Sequence, residues 1–512
     1  MESSRSNYLV AAAVTAALAT GAAHALPPAA TINQVFYEGG GSGQEDAAYW
    51  AVLQLLTPST VDIYTDKTNG APSTSYLIVT GTTNATGNTA LGFAASENIL
   101  FVYKFNGGSF PNGAFPFTGA AGSAASTLAY PVTSAIASSV ATGITFATSV
   151  GPVPSAPTYE FTASNTTTNL QSPDWGLTDV EVPLFNTLVN LGSTKALNAA
   201  QLGNITSSSI HDDIYAIAIT NALYTGSGTG GHPKTSFTKE EVTAILQGVV
   251  TNWNQLFADD GTQLPSVPVW LLDRAAGSGA KAAANNYFLA NPATLAAGGA
   301  LTPKNASGPT PAGQTVLSLT GGYEDVNEAS VQAVIADLIA ANGNTTGSKP
   351  NRLAIGILSG EVPPAQNQNG TGSNQYAFAS IDGVGIDTGT AGDNINGTVA
   401  TKYTNVITGK YDFVYTDSFN TRTGFLSTTT VQAKFANAIK SNLQSETISG
   451  ANTGLVFPLA VNGVLIDPSN TATQDPGVVL WTRNSVSSAP VQLNYDATTV
   501  NGNAIQYGSD PL

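Results

Sequence analysis

Short apolar runs of strand character alternate in this chain with longer helix-forming runs, and this restricts its possible folds more than any other feature. Strands are expected at VDIY (61–64), SYLIVTG (75–81), NILFVYKF (98–105), YAIAITNALY (215–224), VPVWLLD (267–273), RLAIGIL (352–358) and YDFVYT (411–416). Helices are expected at GQEDAAYWAVLQLL (43–56), TKEEVTAILQGV (238–249), KAAANNYFL (281–289), VNEASVQAVIADLIAAN (326–342) and VQAKFANAIKSNLQ (431–444). Interleaving of this kind predicts α/β layers around mostly parallel sheets, because a parallel strand pair needs a crossover and a helix supplies one.

At 512 residues the chain is long enough for two or more domains with ample core. Only 10% of the residues are charged, against roughly 25% in ordinary soluble domains, yet 42% are apolar, which favours a folded chain. The net charge of −16 makes nucleic acid and acidic membrane surfaces poor partners. Residues 1–25 read as a secretory signal. One arginine precedes the apolar run LVAAAVTAALAT, and Ala23-His24-Ala25 makes a small-x-small cleavage site. No later segment is apolar enough to span a membrane, so the mature chain is expected in the periplasm or outside the cell. There is no cysteine, hence no disulfide and no thiolate metal site. The stretches 119–147, 292–313 and 361–375 read as long loops rich in small and polar residues.

Four junctions combine glycine with hydroxyl or acidic residues beside apolar segments. They are Gly41-Ser42-Gly43 in YEGGGSGQEDAAYW, Gly81-Thr82-Thr83 in VTGTTNATG, Thr178-Asp179 in WGLTDVEVP, and Gly277-Ser278-Gly279 three residues after Arg274. A helix N-terminus carries unpaired N–H groups and partial positive charge, and glycines let the backbone approach a ligand closely. An arginine adds a fork suited to a tetrahedral anion. An aspartate among such donors makes sense when the anion carries a proton for it to accept, and it would then reject a fully deprotonated anion. Each piece alone is ordinary turn chemistry; four together point to an oxyanion site.

The order of motifs resembles the phosphate-binding proteins of ABC transporters. FTKEEVTAILQGVVTNWNQL (237–256) is followed by the strand VPVWLLD and the loop Arg274-Ala275-Ala276-Gly277-Ser278-Gly279-Ala280, like that family's R-x-x-G-S-G-T loop. AIGILSG (354–360), YAFASIDGV (376–384) and LTDVEVP (177–183) resemble further family stretches. The resemblance implies a two-lobed type II periplasmic binding protein fold, α/β in class, with the ligand cleft between the lobes. Lobe one would take 31–214 and 405–512, and lobe two 215–404. It further implies that Arg274, Ser278 and Gly279 bind the anion from one side. Asp179, beside Thr178, accepts its proton, and Thr82 with Gly41, Ser42 and Gly43 donates from the other lobe. The ligand would be inorganic phosphate or a related oxyanion, the partner an ABC permease, with no cofactor and no chemistry. Ala280 departs from the family pattern, since it removes a hydroxyl donor.

Two other functions stay open on the residues themselves. One is a secreted surface or matrix protein that reuses the fold with a degenerate pocket. The other is a secreted phosphoester hydrolase. Removing the signal leaves only His211 and His232, which excludes a multi-histidine metal site, and no G-x-S-x-G elbow supports a serine nucleophile. Asp259-Asp260-Gly261-Thr262 reads as a turn, and Trp50 and Trp253 as core residues.

Overall fold

The computed structural model describes residues 32–65, 75–119, 127–131, 140–145, 157–160, 168–191, 197–290, 324–328, 330–342, 353–359, 376–386, 405, 410–444, 482–483 and 493–494. The signal at 1–25 and the loops at 292–313 and 361–375 lie outside them.

The first sheet is built on β1 (Gln34–Gly39), β2 (Asp62–Thr65), β3 (Tyr76–Thr82), β4 (Asn98–Lys104) and β5 (Trp175–Thr178). β1 lies between β4 and β5, parallel to both. β3 runs antiparallel to β4, with Thr82 opposite Asn98. β4 is buried without interruption from Ile99 to Tyr103. A strand buried on both faces has no polar face, which is why NILFVYK shows no alternation. Helix α1 (Glu45–Leu53) covers one face, and its alanines let the backbone lie close to the sheet. The ring of Phe36 on β1 stacks on Phe435, 3.8 Å between centroids.

The long strand β6 (Ile205–Thr220) joins this sheet to a second one. The second sheet contains β7 (Trp270–Arg274), β8 (Glu324–Glu328), β9 (Ala354–Ser359) and β10 (Tyr376–Ile381). Residues 205–214 of β6 pair with β11 (Val414–Arg422), whose Ser418–Asn420 pair in turn with β5. From Tyr215 onward β6 pairs instead with β9, and from Ile217 also with β10. Helices α2 (Lys239–Leu246), α3 (Gly279–Leu289) and α4 (Val331–Asn342) belong to the second sheet, and α5 (Val431–Leu443) returns to the first. The second sheet and its helices share one apolar cluster, and the first sheet has its own. The chain is thus a two-lobed α/β fold.

Several expectations need correction. β1 falls in QVFYEG, which the apolar pattern does not single out. The sheets are mixed rather than mostly parallel: β6 is antiparallel to β9, β10 and β11. Residues 326–328, expected to open a helix, extend as part of β8 beside β7, so pairing overrides local helix propensity there and the helix begins at Val331. Asn221–Tyr224, expected to be extended, forms a helical turn after β6. Within 119–147, expected to be loop, Leu128–Pro131 and Val140–Thr145 are strands.

Two local features hold these elements in place. α2 starts with a capping box, in which Thr238 accepts from the Glu241 N–H and the Glu241 side chain accepts from the Thr238 N–H. Its Val242, Ile245 and Leu246 face the core. Trp253 is fully buried, and its Nε1 donates to the Leu353 carbonyl at 2.8 Å, fixing the TNWN turn to the start of β9.

Candidate anion site

β1, β4 and β5 are parallel, so their C-terminal ends share one edge of the first sheet. Loops at the carboxyl ends of parallel strands are where open α/β sheets gather ligands. The loop after β1 runs Gly40-Gly41 into the turn Ser42–Gln44 and then α1. The carbonyl of Gly41 accepts a 2.5 Å bond from the buried Tyr103 hydroxyl at the end of β4. Gly43 is buried in the same turn. The loop after β4 brings Ser109 to the site, 1% exposed, where its Oγ accepts from the Asp179 N–H at 2.9 Å. The loop after β5 supplies Asp179.

The loop after β7, in the second sheet, carries the rest. Arg274 ends that strand beside Glu328, and both are buried. The backbone turns at Gly277 (φ 84°), and Ser278 becomes the N-cap of α3. The Ser278 side chain is buried and makes no capping bond, and its Oγ has no hydrogen-bond partner among the described residues. The Phe110 N–H donates to the Gly277 carbonyl at 2.9 Å, and the Gly277 N–H donates to the Asn190 carbonyl at 2.7 Å. The two sheets are therefore tied by backbone bonds at this point.

Asp179 lies at the centre. A methyl group at Gly41 would sit 2.3 Å from its Oδ1, and one at Gly279 would sit 2.6 Å from its Oδ2. Both are far below contact distance, so these positions accept only glycine while Asp179 stays in place. The carboxyl lies beside the Ser109 hydroxyl and the N–H of Gly279, the first residue of α3, and both favour its ionised form. Its pKa is nonetheless pushed up to about 7, chiefly by burial and then by Asp417, against the pull of Arg274, Ser109 and Gly279. Asp417 is held by the Gln44 Nε2, which donates to its Oδ2 at 2.6 Å. Glu328, the register partner of Arg274 on β8, is pushed up to about 8 by burial and by Asp337, with Arg274 opposing. Burial also drives the Tyr103 hydroxyl well above its ordinary range, helped by Glu38, Asp179, Glu45 and Asp417.

Of the residues expected in the site, the structure gathers Gly41, Asp179, Arg274, Ser278 and Gly279. Gly43 and Ser42 are in the adjoining turn. Thr178 directly precedes Asp179, but its hydroxyl accepts from Asn420 at 3.0 Å and so faces β11. Thr82 does not join them. It pairs with Asn98, the first residue of β4, whereas Gly39 pairs with Lys104, the last. That puts Thr82 roughly 20 Å away, at the opposite end of the sheet. Its hydroxyl donates to Asn98 Oδ1 at 2.7 Å. Ser109 stands in the place expected for Thr82. Its signal was legible, as FNGGSF (105–110) is also a glycine-serine junction after an apolar strand. Ala280 is buried in the apolar cluster that includes Phe110 and Phe185.

No family model matches the chain, and no curated protein matches it. Among solved structures, a DING protein is similar over 81% of this chain and 94% of its own, at 11% identity and a TM-score of 0.34. An ABC-type phosphate transport receptor from Vibrio cholerae matches over 54% of this chain and 76% of its own, at 12% identity and a TM-score of 0.28. PstS from Borrelia burgdorferi matches over 54% and 74%, at 13% identity and a TM-score of 0.27. At such identities and TM-scores they carry no conclusion about what this chain binds.

Proposed function

We propose that the chain is an exported solute-binding protein that captures phosphate or a similar tetrahedral oxyanion between its two lobes. The observation that carries this is the meeting of four loops, distant in sequence, around one buried carboxyl. Gly41, Ser109, Asp179 and the Arg274–Gly279 segment bring backbone N–H groups, hydroxyls, a guanidinium and a proton acceptor to one place. The proposed lobes are 31–214 with 405–512, and 215–404. The change of partner on β6, from Val414 at Ile214 to Ser359 at Tyr215, supports that division. Closure of the lobes would remove water from the anion and strengthen each charge-assisted bond. The net charge of −16 does not oppose this, since it is screened beyond about 8–10 Å. Export through the signal at 1–25, to the periplasm or beyond, and delivery to an ABC permease belong to the same reading.

Isothermal titration of phosphate-stripped protein with phosphate, sulfate and an organic phosphate tests it. Micromolar or tighter phosphate binding, abolished by Arg274→Ala, is the expected result. A second reading, a secreted surface or matrix protein with a degenerate pocket, draws support from the backbone bonds that tie the sheets at Gly277 and from Ala280. The absence of heat with every anion would favour it.

A further inference from the structure

The Asp179 carboxyl occupies the space between the Gly41 loop and the start of α3. It lies against the Cα of both glycines, beside the Gly279 N–H. In the proposed site, that N–H is among the donors an oxyanion would take. Ser278 Oγ, buried beside it, has no hydrogen-bond partner among the described residues. An intramolecular carboxylate on a helix N-terminus satisfies the same partial charge that would attract a free anion.

We propose that Asp179 is a built-in occupant of the anion site: it holds the α3 N-terminus in the unliganded protein and must release Gly279 before an oxyanion can bind there. This rests on the oxyanion reading and adds a competition to it. A ligand that binds only the released form has its apparent affinity lowered by the fraction of molecules released.

The contest depends on pH, because the ionised carboxyl holds an N–H donor more strongly than the neutral acid does. Asp179 faces Arg274 from β7, Ser109 and the Tyr103 hydroxyl from β4 and its following loop, the Gly279 N–H from α3, and Asp417 from β11. Glu328 pairs with Arg274 across the strands, and Glu38 and Glu45 bear on Tyr103. Burial with Asp417 sets the titration near neutrality. Self-occupancy therefore strengthens as pH rises from 6 to 8, and ligand affinity falls.

The decisive measurement uses the wild-type chain and NMR detection of the Gly279 amide. In the free protein this resonance is expected to shift with pH with a midpoint near 7, and saturating phosphate should abolish the shift. An amide that keeps its titration in the phosphate complex overturns the proposal and leaves the oxyanion reading intact. No phosphate-dependent change at any pH removes that reading and the proposal together. In parallel, Asp179→Ser, which vacates the space, should tighten phosphate binding about tenfold at pH 8. Asp179→Asn, which fills the space with a neutral and weaker acceptor, should tighten binding by less than Asp179→Ser and remove most of the fall in affinity between pH 6 and 8. Weaker phosphate binding by Asp179→Ser would mean that the carboxyl serves only as a proton acceptor for the ligand, and the competition is then wrong.

Discussion

Glu38 and Asp179 are carboxyls drawn into one interior, and burial raises both above their ordinary range. For Asp179 the window runs from 3.8 to about 7. In it the folded chain binds more protons than the unfolded one, so stability falls as pH rises, by up to about 1.4 kcal/mol per pH unit for each such group. Urea midpoints measured without anion should therefore be higher at pH 5 than at pH 7.5, and Glu38→Gln should flatten the dependence. A midpoint that rises with pH would contradict the assignment. The two glycines give a steric prediction at the same scale. Gly279→Ala places a methyl 2.4 Å from Asp179 Cβ, and Gly41→Ala places one 2.3 Å from its Oδ1. Each is expected to cost about 1–3 kcal/mol and to abolish phosphate binding. Gly203→Ala, where nothing lies within 4 Å, is the matched control and should leave both unchanged.

The elements that position the site rest on local signals with measurable worth. Thr238 caps α2, and Thr238→Ala should lower stability by about 1 kcal/mol. Trp253 anchors the TNWN turn through the Leu353 carbonyl. Trp253→Phe keeps the ring but leaves that buried carbonyl without its donor, a loss of about 1–3 kcal/mol. Urea denaturation measures both, and a neutral Trp253→Phe would show that packing alone holds the turn. These elements were legible because a capping box and an apolar 3–4 spacing are short-range patterns. β8 was not, because EDVNE is neither apolar nor alternating and becomes a strand only through pairing with β7. α3 starts at Gly279 rather than at Lys281, since Ser278 serves as its N-cap without a side-chain bond.

Across the whole molecule, the segment after Asp179 reaches over to the second sheet. Leu184, Phe185 and Leu191 share an apolar cluster with Ala280 and Ala283 of α3. Asn190 fastens this seam: its Nδ2 donates to the Leu184 carbonyl at 2.6 Å, and its Oδ1 accepts from Asn285 at 2.7 Å. Its carbonyl also receives the Gly277 N–H. Asn190→Leu strips the carboxamide bonds and should destabilise the chain by about 1–3 kcal/mol. It should also increase the maximum dimension seen by X-ray scattering without phosphate, as the sheets part more easily. Unchanged scattering would mean that the apolar contacts suffice to hold them.

The sequence by itself determined the α/β class, the tryptophan cores, the α2 cap, and the run from a strand through Arg274 into a glycine-serine loop and a helix. All of these follow from periodicity, propensity and neighbours a few residues apart. Tertiary structure decided which junctions meet. Gly81-Thr82 and Gly108-Ser109 look alike as sequence, each a glycine-hydroxyl pair at or after an apolar strand. They differ in that β3 runs antiparallel to β4, while β4 runs parallel to β1. Strand direction is set by pairing between distant segments, so Thr82 ends at the far edge of the sheet and Ser109 ends on Asp179. The raised carboxyls have the same origin, because burial beside Asp417, some 240 residues away, exists only in the folded chain.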